Sequence, residues 1–398
     1  MNQNGRATLF GMALYLLVGA NLPFLPVWME TERGLSGGEI SAIIAIATLI
    51  RIFAGPMIAA EAERRGLRVA LGMLALVTLL AYIALFPGGP ILLVAMLLVG
   101  TYVTWGVLSP LTEGLLIANT QEGKPDYGVA RALASVCFIV SSLVVGALVQ
   151  SFGPDWALWA MIGAAFGLCL ASLILPEDAP LLARRAGFRQ TLKEGFGLYR
   201  NRRLLLLALS VSLIQSAHAY YYNLGSNVWL GQGIDASHLG ALWSVGVGME
   251  VILLLFSGWL FVQSRWTPGA LILLGGAGAA VRWTLTGFAP SLPVLYGLQT
   301  LHALSFAATH IGGLRFLNEE VASEKVPVAM AINSAVAFGP MLAVFGLFAG
   351  WYYDTAAGQG AGAQAQGYWL MALIAVLGAL CALPLLKRVS PKAQVLAG

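Results

Sequence analysis

Charge is what this chain of 398 residues has least of: Asp, Glu, Lys and Arg make up 10% of it, against 59% apolar residues. That leaves too little polar surface to cover a soluble globule of this length, and with a mean hydropathy of +0.80 the composition predicts a polytopic membrane protein. Cysteine is scarce too. Cys137, Cys169 and Cys381 fall in three different apolar runs without the paired spacing of a metal site or a disulfide framework, so they read as small apolar fillers. No zincin or serine-hydrolase motif is present, which leaves an intramembrane enzyme without a nucleophile and base or a metal constellation. No cofactor and no metal are expected, and nothing resembles a nucleic-acid surface.

What is present is a series of twelve apolar segments, at about 7–29, 37–60, 69–86, 90–119, 128–150, 156–175, 203–229, 238–262, 268–288, 292–316, 327–351 and 366–386. At about 1.5 Å per residue each can cross roughly 30 Å of hydrocarbon. The first runs through Leu22, Phe24 and Trp28 without a small-residue cleavage site, so it is expected to stay attached rather than be removed as a signal peptide. Of 22 lysines and arginines, Arg51, Arg131 and Arg282 lie within the segments and Arg33 lies in a loop on one side; with Arg203 and Arg315, at segment ends, counted with the loops they adjoin, the remaining 18 belong to the other side. This asymmetry predicts both termini in the cytoplasm, and it accounts for the net charge of +4 as topology. The layout is two sets of six spans, residues 1–175 and 202–398, joined by a cytoplasmic connector over 176–201 that carries Arg184, Arg185, Arg189, Lys193 and Arg200.

Five ionisable residues nevertheless sit inside the apolar runs: Glu113, Arg131, Glu250, Arg282 and His302. A charge at the bilayer centre costs roughly 2.5–3.5 kcal/mol on insertion scales, so the set costs on the order of 10 kcal/mol unless its members pair or line water. They are the candidate functional core, around a polar path. Counted back from the predicted cytoplasmic ends, Glu113 and Arg131 lie roughly 9 and 6 Å deep, matched closely enough to pair. Ser135, Phe138 and Ser142 follow Arg131 at helical spacing and share its face; a purely structural bridge between two helices is the competing account. Gln215, His218, Tyr222 and Ser226 form a second polar stripe, in which His218, like His310, also reads as a hydrogen-bonded structural histidine. Arg51 reads as an interhelical bridge or as a side chain reaching back to the membrane surface.

The turn after the second segment, from Pro56 to Arg68, resembles the loop of the major facilitator superfamily usually written G-x3-D-R-x-G-R-R. Ala59 replaces its first Gly, Glu63 its Asp and Leu67 one basic residue, while Arg64, Gly66 and Arg68 keep their places. Glu63, Arg64 and Arg68 are thus expected to form a charge latch that breaks or forms as two halves rock, with a plain positive anchor as the alternative. Further on come His218 with Tyr221-Tyr222, Gly240-x-Leu242-Trp243 with Gly246-Val247 and Glu250, Arg282-Trp283, and Leu298-Gln299-x-Leu301-His302 followed by Phe306-Ala307-Ala308-Thr309-His310. In combination, and over nearly the whole chain, these strings look like the phenylpropionate permease family, MFS_1-like members of the superfamily related to oligosaccharide/proton symporters.

The resemblance implies an all-α fold of twelve transmembrane helices, two six-helix bundles around a central cavity, in the inner (plasma) membrane of a bacterium and functional as a monomer. It implies alternating access, with protons and a small organic solute as partners, the proton gradient as energy source, and an aromatic acid such as 3-phenylpropionate as the favoured substrate. Sugars or nucleosides are the alternative. Glu113 and Arg131 match the substrate-side carboxylate and arginine of the symporters, with Trp105, Phe138, His218 and Tyr222 offering aromatic and polar surface; Glu250, Arg282 and His302 match the coupling cluster. The match breaks at one place: where the sugar symporters have a proton-carrying carboxylate three residues after the histidine, this chain has Ser305, and Gln299 stands where they have a lysine. Glu250 then becomes the expected proton carrier, with His302 second. Import is expected rather than export, because Gly153-Pro154 lies beyond the helix end and no antiporter signature is assembled. A membrane sensor on the same scaffold would bind ligand without flux, and the sequence shows no signalling domain of the kind such a sensor is expected to carry.

Overall fold

The computed structural model describes residues 3–120, 127–176, 197–259, 266–322, 325–337 and 339–387, and these are overwhelmingly helical. In hydrocarbon no water meets the backbone, so long apolar segments must satisfy their N–H and C=O groups internally as helices. The first six are α1 (Gln3–Arg33), α2 (Gly37–Arg65), α3 (Leu67–Leu85), α4 (Ile91–Thr120), α5 (Tyr127–Phe152) and α6 (Asp155–Leu173). The rest are α7 (Arg202–Ser216), α8 (Ala219–Gly231), α9 (Ala236–Ser257), α10 (Pro268–Thr286), α11 (Leu292–Thr300), α12 (Thr309–Glu320), α13 (Val326–Ala337), α14 (Pro340–Ala357), α15 (Ala361–Ala365) and α16 (Gly367–Ala382). Most of the expected connector, with Arg184, Arg185, Arg189 and Lys193, lies outside the described residues.

Local chemistry places several starts. Ser36 caps α2 through a capping box with Glu39, and Thr267 accepts from the Ala270 N–H with Pro268 in the first turn of α10. The second half of α1, from Leu17 to Met29, is buried almost all round, as expected of a helix apolar on every face. Outer helices instead turn rows such as Leu76, Val77, Leu80 and Ile83, or Leu373, Val376, Leu377 and Leu380, outward.

Ten helical stretches among the described residues are long and apolar enough to cross a membrane, fewer than the twelve spans predicted. The predicted spans 292–316 and 327–351 fall instead on interrupted helices. The first is split into α11, a π-helical turn at Ala303–Ala308 and α12; the second into α13 and α14, where Pro340 opens the new helix. The predicted span 203–229 is pinched between α7 and α8. There the His218 ring Nδ1 lies 3.1 Å from the Ile214 carbonyl, the acceptor that its own N–H would use in an α-helix, and that N–H bonds Gln215 O instead.

Helix α1 packs against α4, α5 and α6, and α10 against α12 and α16. Between these groups the principal contacts are α5 with α9, α2 with α14 and α1 with α8. All are tight at one end of the molecule, the end where α1 turns into α2. A Cβ on Gly240 would sit 2.0 Å from the Ser142 carbonyl oxygen, and one on Gly350 2.4 Å from that of Gly37, so only glycine permits these approaches. Asp354 accepts from the Gly37 and Gly38 N–H groups at 2.7 and 2.8 Å, a carboxylate set on the N-terminus of α2. Glu30 accepts from the Tyr353 hydroxyl at 2.8 Å and the Asn227 amide at 2.5 Å, and Gln150 accepts from the Ala236 N–H at 2.8 Å.

The α5–α9 approach can be tested directly. With nitroxide labels at Thr31 and Asp235, a Gly240→Val protein should show a longer and broader electron–electron distance distribution than its parent, because the new side chain holds this end open. An unchanged distribution would mean that the helix approach does not hold the seal.

Candidate functional site

A cavity of about 650 Å³ lies between the two groups of helices on the far side of the seal. Its wall is largely apolar and carries the rings of Tyr15, Trp105, Phe138, Tyr222, Trp243 and Phe306, and its charged lining is Arg51, Arg131 and Glu250. Trp105, Phe138 and Tyr222 therefore stand where the sequence predicted them. His218 does not line it; it is fully buried behind the wall.

Glu113 on α4 and Arg131 on α5 are brought together, with 3.3 Å between Arg131 Nε and Glu113 Oε1. Tyr127 donates to Glu113 Oε2 at 2.8 Å and Tyr15 to Oε1 at 3.2 Å. The Arg131 guanidinium stacks 4.6 Å over the Tyr15 ring and donates to Ser135 at 3.2 Å. Carboxylate and guanidinium are thus largely occupied by each other and by these neighbours. The face read from Arg131 to Ser142 turns away from the cavity at its end, where Ser142 donates to the Gly19 carbonyl of α1.

Behind the wall lies the second cluster. Arg282 is fully buried and its guanidinium donates to His302 Nδ1 at 2.8 Å and Gln299 Oε1 at 2.6 Å. Its faces rest on the rings of Trp283 and Tyr221, at 4.2 and 4.8 Å, contacts worth about 2 kcal/mol when desolvated. A guanidinium only donates, so His302 Nδ1 must be the acceptor and the ring proton sits on Nε2. That Nε2 faces Glu250 Oε2 at 3.9 Å, and both side chains line the cavity. His218 is fixed in the opposite tautomer: its Nδ1 faces the Ile214 and Gln215 carbonyls, and its Nε2 accepts from Ser305 Oγ at 3.0 Å. The π-helical turn and the pinched turn at His218 thus meet through this hydrogen bond and through a longer one from the Gln215 amide to the Phe306 carbonyl at 3.4 Å.

The residues of the expected latch lie at the exposed end of α2 and the start of α3. Arg64 and Arg65 both bond Glu61, one turn back on the same exposed helix end. Glu63 and Arg68 also take part in polar contacts. Sequence reading missed Tyr15 and Tyr127, whose hydroxyls hold Glu113, and Gln299 as an acceptor for Arg282. It also missed Arg51 as a lining residue. For Arg51 a signal existed, since Ile44, Thr48, Arg51 and Gly55 recur at spacings of four, three and four and all line the cavity.

Comparison with known proteins agrees with this architecture. Residues 8–361 match the MFS_1 like family. A probable 3-phenylpropionic acid transporter of Escherichia coli (strain K12) is 31% identical over 359 residues, 90% of this chain and 91% of the relative, and the maltose permease of Geobacillus stearothermophilus is 26% identical over 344 residues, 83% of each. The crystal structure of the nucleoside transporter NupG superposes with a TM-score of 0.81 at 15% identity, over 98% of this chain and 100% of that one, which establishes likeness of fold. With its apolar spanning helices, its interhelical cavity and a family match over most of its length, the chain belongs to the MFS_1 like family of major facilitator transporters, integral membrane proteins that are not enzymes.

Proposed function

We propose that this transporter imports a small aromatic carboxylate together with protons by alternating access. The observation that carries the reading is an apolar cavity, lined in part by aromatic rings, that a carboxylate, Glu250, and the histidine linked to a buried arginine both line. The resemblance to a probable 3-phenylpropionic acid transporter favours the substrate class. A hydroxylated solute, a sugar or nucleoside, is the second reading, because the joined Glu113–Arg131 pair presents acceptor and donor side by side. We take the protein as two six-helix bundles, residues 1–175 and 202–398, with the interrupted segments 292–320 and 326–357 completing twelve passes. With both termini in the cytoplasm, the seal at the α1–α2 end makes this the inward-facing state.

The hydrogen-bond directions favour Glu250 over His302 as proton carrier. To become an imidazolium, His302 would have to protonate Nδ1 and so give up its bond from Arg282. Glu250 can bind and release a proton at the cavity surface without breaking any bond of the buried cluster. Its charge is felt by Arg282 through the His302 ring, so protonation changes how firmly the second-half cluster is held, and the two access states differ in affinity for proton and solute. Glu61, Glu63, Arg64 and Arg68 remain a helix-end latch in this scheme.

Three outcomes are expected. Reporter fusions after residue 190 and at the C-terminus should both report cytoplasm, and an external signal at either would overturn the twelve-pass topology. Arg131→Ala leaves the Glu113 carboxylate uncompensated at the cavity, so binding of an aromatic acid to the inserted protein should weaken at least about tenfold; unchanged affinity would place the site elsewhere. In proteoliposomes, Glu250→Gln should keep substrate exchange but lose accumulation driven by an inward proton gradient, whereas His302→Gln should retain part of it. Survival of accumulation in Glu250→Gln with loss in His302→Gln would move the proton to the histidine, and survival in both would remove proton coupling from this cluster.

A further inference from the structure

Resting on the aromatic-acid reading above, we infer that Tyr15 and Tyr127 are specificity determinants that turn hydroxylated solutes away, their hydroxyls occupying the Glu113 carboxylate as those of a sugar or nucleoside otherwise would. A carboxylate recognises a polyol by accepting hydrogen bonds from its hydroxyl groups, and it has about four lone-pair sites with which to do so. Among the described residues, Glu113 Oε1 faces Arg131 Nε at 3.3 Å and accepts from the Tyr15 hydroxyl at 3.2 Å, and Oε2 accepts from the Tyr127 hydroxyl at 2.8 Å. Roughly three of the four sites are thus in use.

The hydroxyls are held there by the helices that carry them. Tyr127 opens α5 one turn before Arg131, and residues four apart on a helix share a face, so hydroxyl and guanidinium reach Glu113 of α4 together. Tyr15 comes from α1, and the Arg131 guanidinium stacks on its ring at 4.6 Å; the cation steadies the ring, and the ring carries its hydroxyl to Oε1. Arg131 and Tyr15 line the cavity, whereas Glu113 is not among its described lining residues. A solute therefore meets the pair with the carboxylate already engaged.

Satisfying Glu113 does not in itself require two tyrosines. Its side chain is 28% exposed, so water could supply the donors that a carboxylate beside an arginine still lacks. Water, however, would yield its place to a solute hydroxyl, while a phenol anchored in a packed helix does not. A sugar or nucleoside thus finds the acceptor taken and has to leave its own donors short of partners. An aromatic acid brings an acceptor instead of a set of donors, and it loses nothing when Glu113 is filled.

The test is equilibrium binding of 3-phenylpropionate, maltose and uridine to the purified full-length protein and to Tyr15→Phe, Tyr127→Phe and the double variant, since phenylalanine keeps each ring and removes only its hydroxyl. The double variant should bind maltose or uridine at least about tenfold more tightly than the parent, and each single variant less so, with 3-phenylpropionate held within about threefold. Adding Glu113→Gln to the double variant should abolish the gain, because the amide has one acceptor oxygen and no charge. A double variant that takes neither maltose nor uridine more tightly overturns the assignment, as does a gain that survives Glu113→Gln. A parent that fails to bind 3-phenylpropionate overturns the aromatic-acid reading, while the gain or its absence for maltose and uridine still decides the role of the tyrosines; a parent that binds maltose or uridine as tightly as the acid overturns both.

Discussion

A guanidinium that water does not reach has to be satisfied by what surrounds it, and the second half of this transporter is organised around that demand at Arg282. Its neighbours are neutral acceptors and aromatic faces rather than a carboxylate. Each consequence follows from a group that can only donate. His302 must accept through Nδ1, so its remaining proton points at Glu250; Gln299 must present its carbonyl oxygen; Trp283 and Tyr221 must lie flat against the cation. The carboxylate that balances the charge is thereby held one ring away, at the cavity surface, where it can change protonation without opening the buried network.

The two ends of the molecule divide the work differently. At the sealed end, backbones meet at glycines, and the carboxylates of Asp354 and Glu30 are held by N–H and hydroxyl groups instead of cations. Such contacts are short-ranged and depend on close packing, so they are made or lost together as helices part. At the cavity the charges are arranged as neighbouring pairs whose separation is a matter of rotamers. Rigid closure and adjustable chemistry thus occupy different depths of the same helices: α5 carries Arg131 at one end and Ser142 in the seal, and α2 carries Arg51 midway and Gly37 in the seal.

Much of this was legible in the sequence, because charge in an apolar run is an expensive signal. Glu113, Arg131, Glu250, Arg282 and His302 could be picked out on that basis alone, and matched depth was enough to pair the first two. Arg51 carried the same signal, but its place in the cavity wall went unread, since facing direction emerges only from the neighbours it lines up with. Tyr15 and Tyr127 were invisible for the opposite reason: an aromatic residue in a membrane helix is ordinary until its hydroxyl is seen on Glu113. Helical periodicity also failed where helices are not α-helical. The turn at His218 is made by a side chain taking a backbone acceptor, which no propensity records, and the widened turn after His302 shifts every later residue against a pattern of 3.6.

That widened turn makes the site sensitive to chain length in a way substitutions do not reveal. A π-helical turn accommodates one residue more than an α-turn, so deleting any single residue between Leu301 and Thr309 would let the segment revert to a regular helix. Because the widened turn absorbs the extra residue, α11 and α12 would keep their relative orientation, and the change would fall on the residues of the turn itself. The column of rings formed by His302, Phe306 and His310, which spans that turn, would then come apart. Among relatives of this protein, gaps should therefore be rarer in this stretch than changes of residue: its conserved quantity is a count.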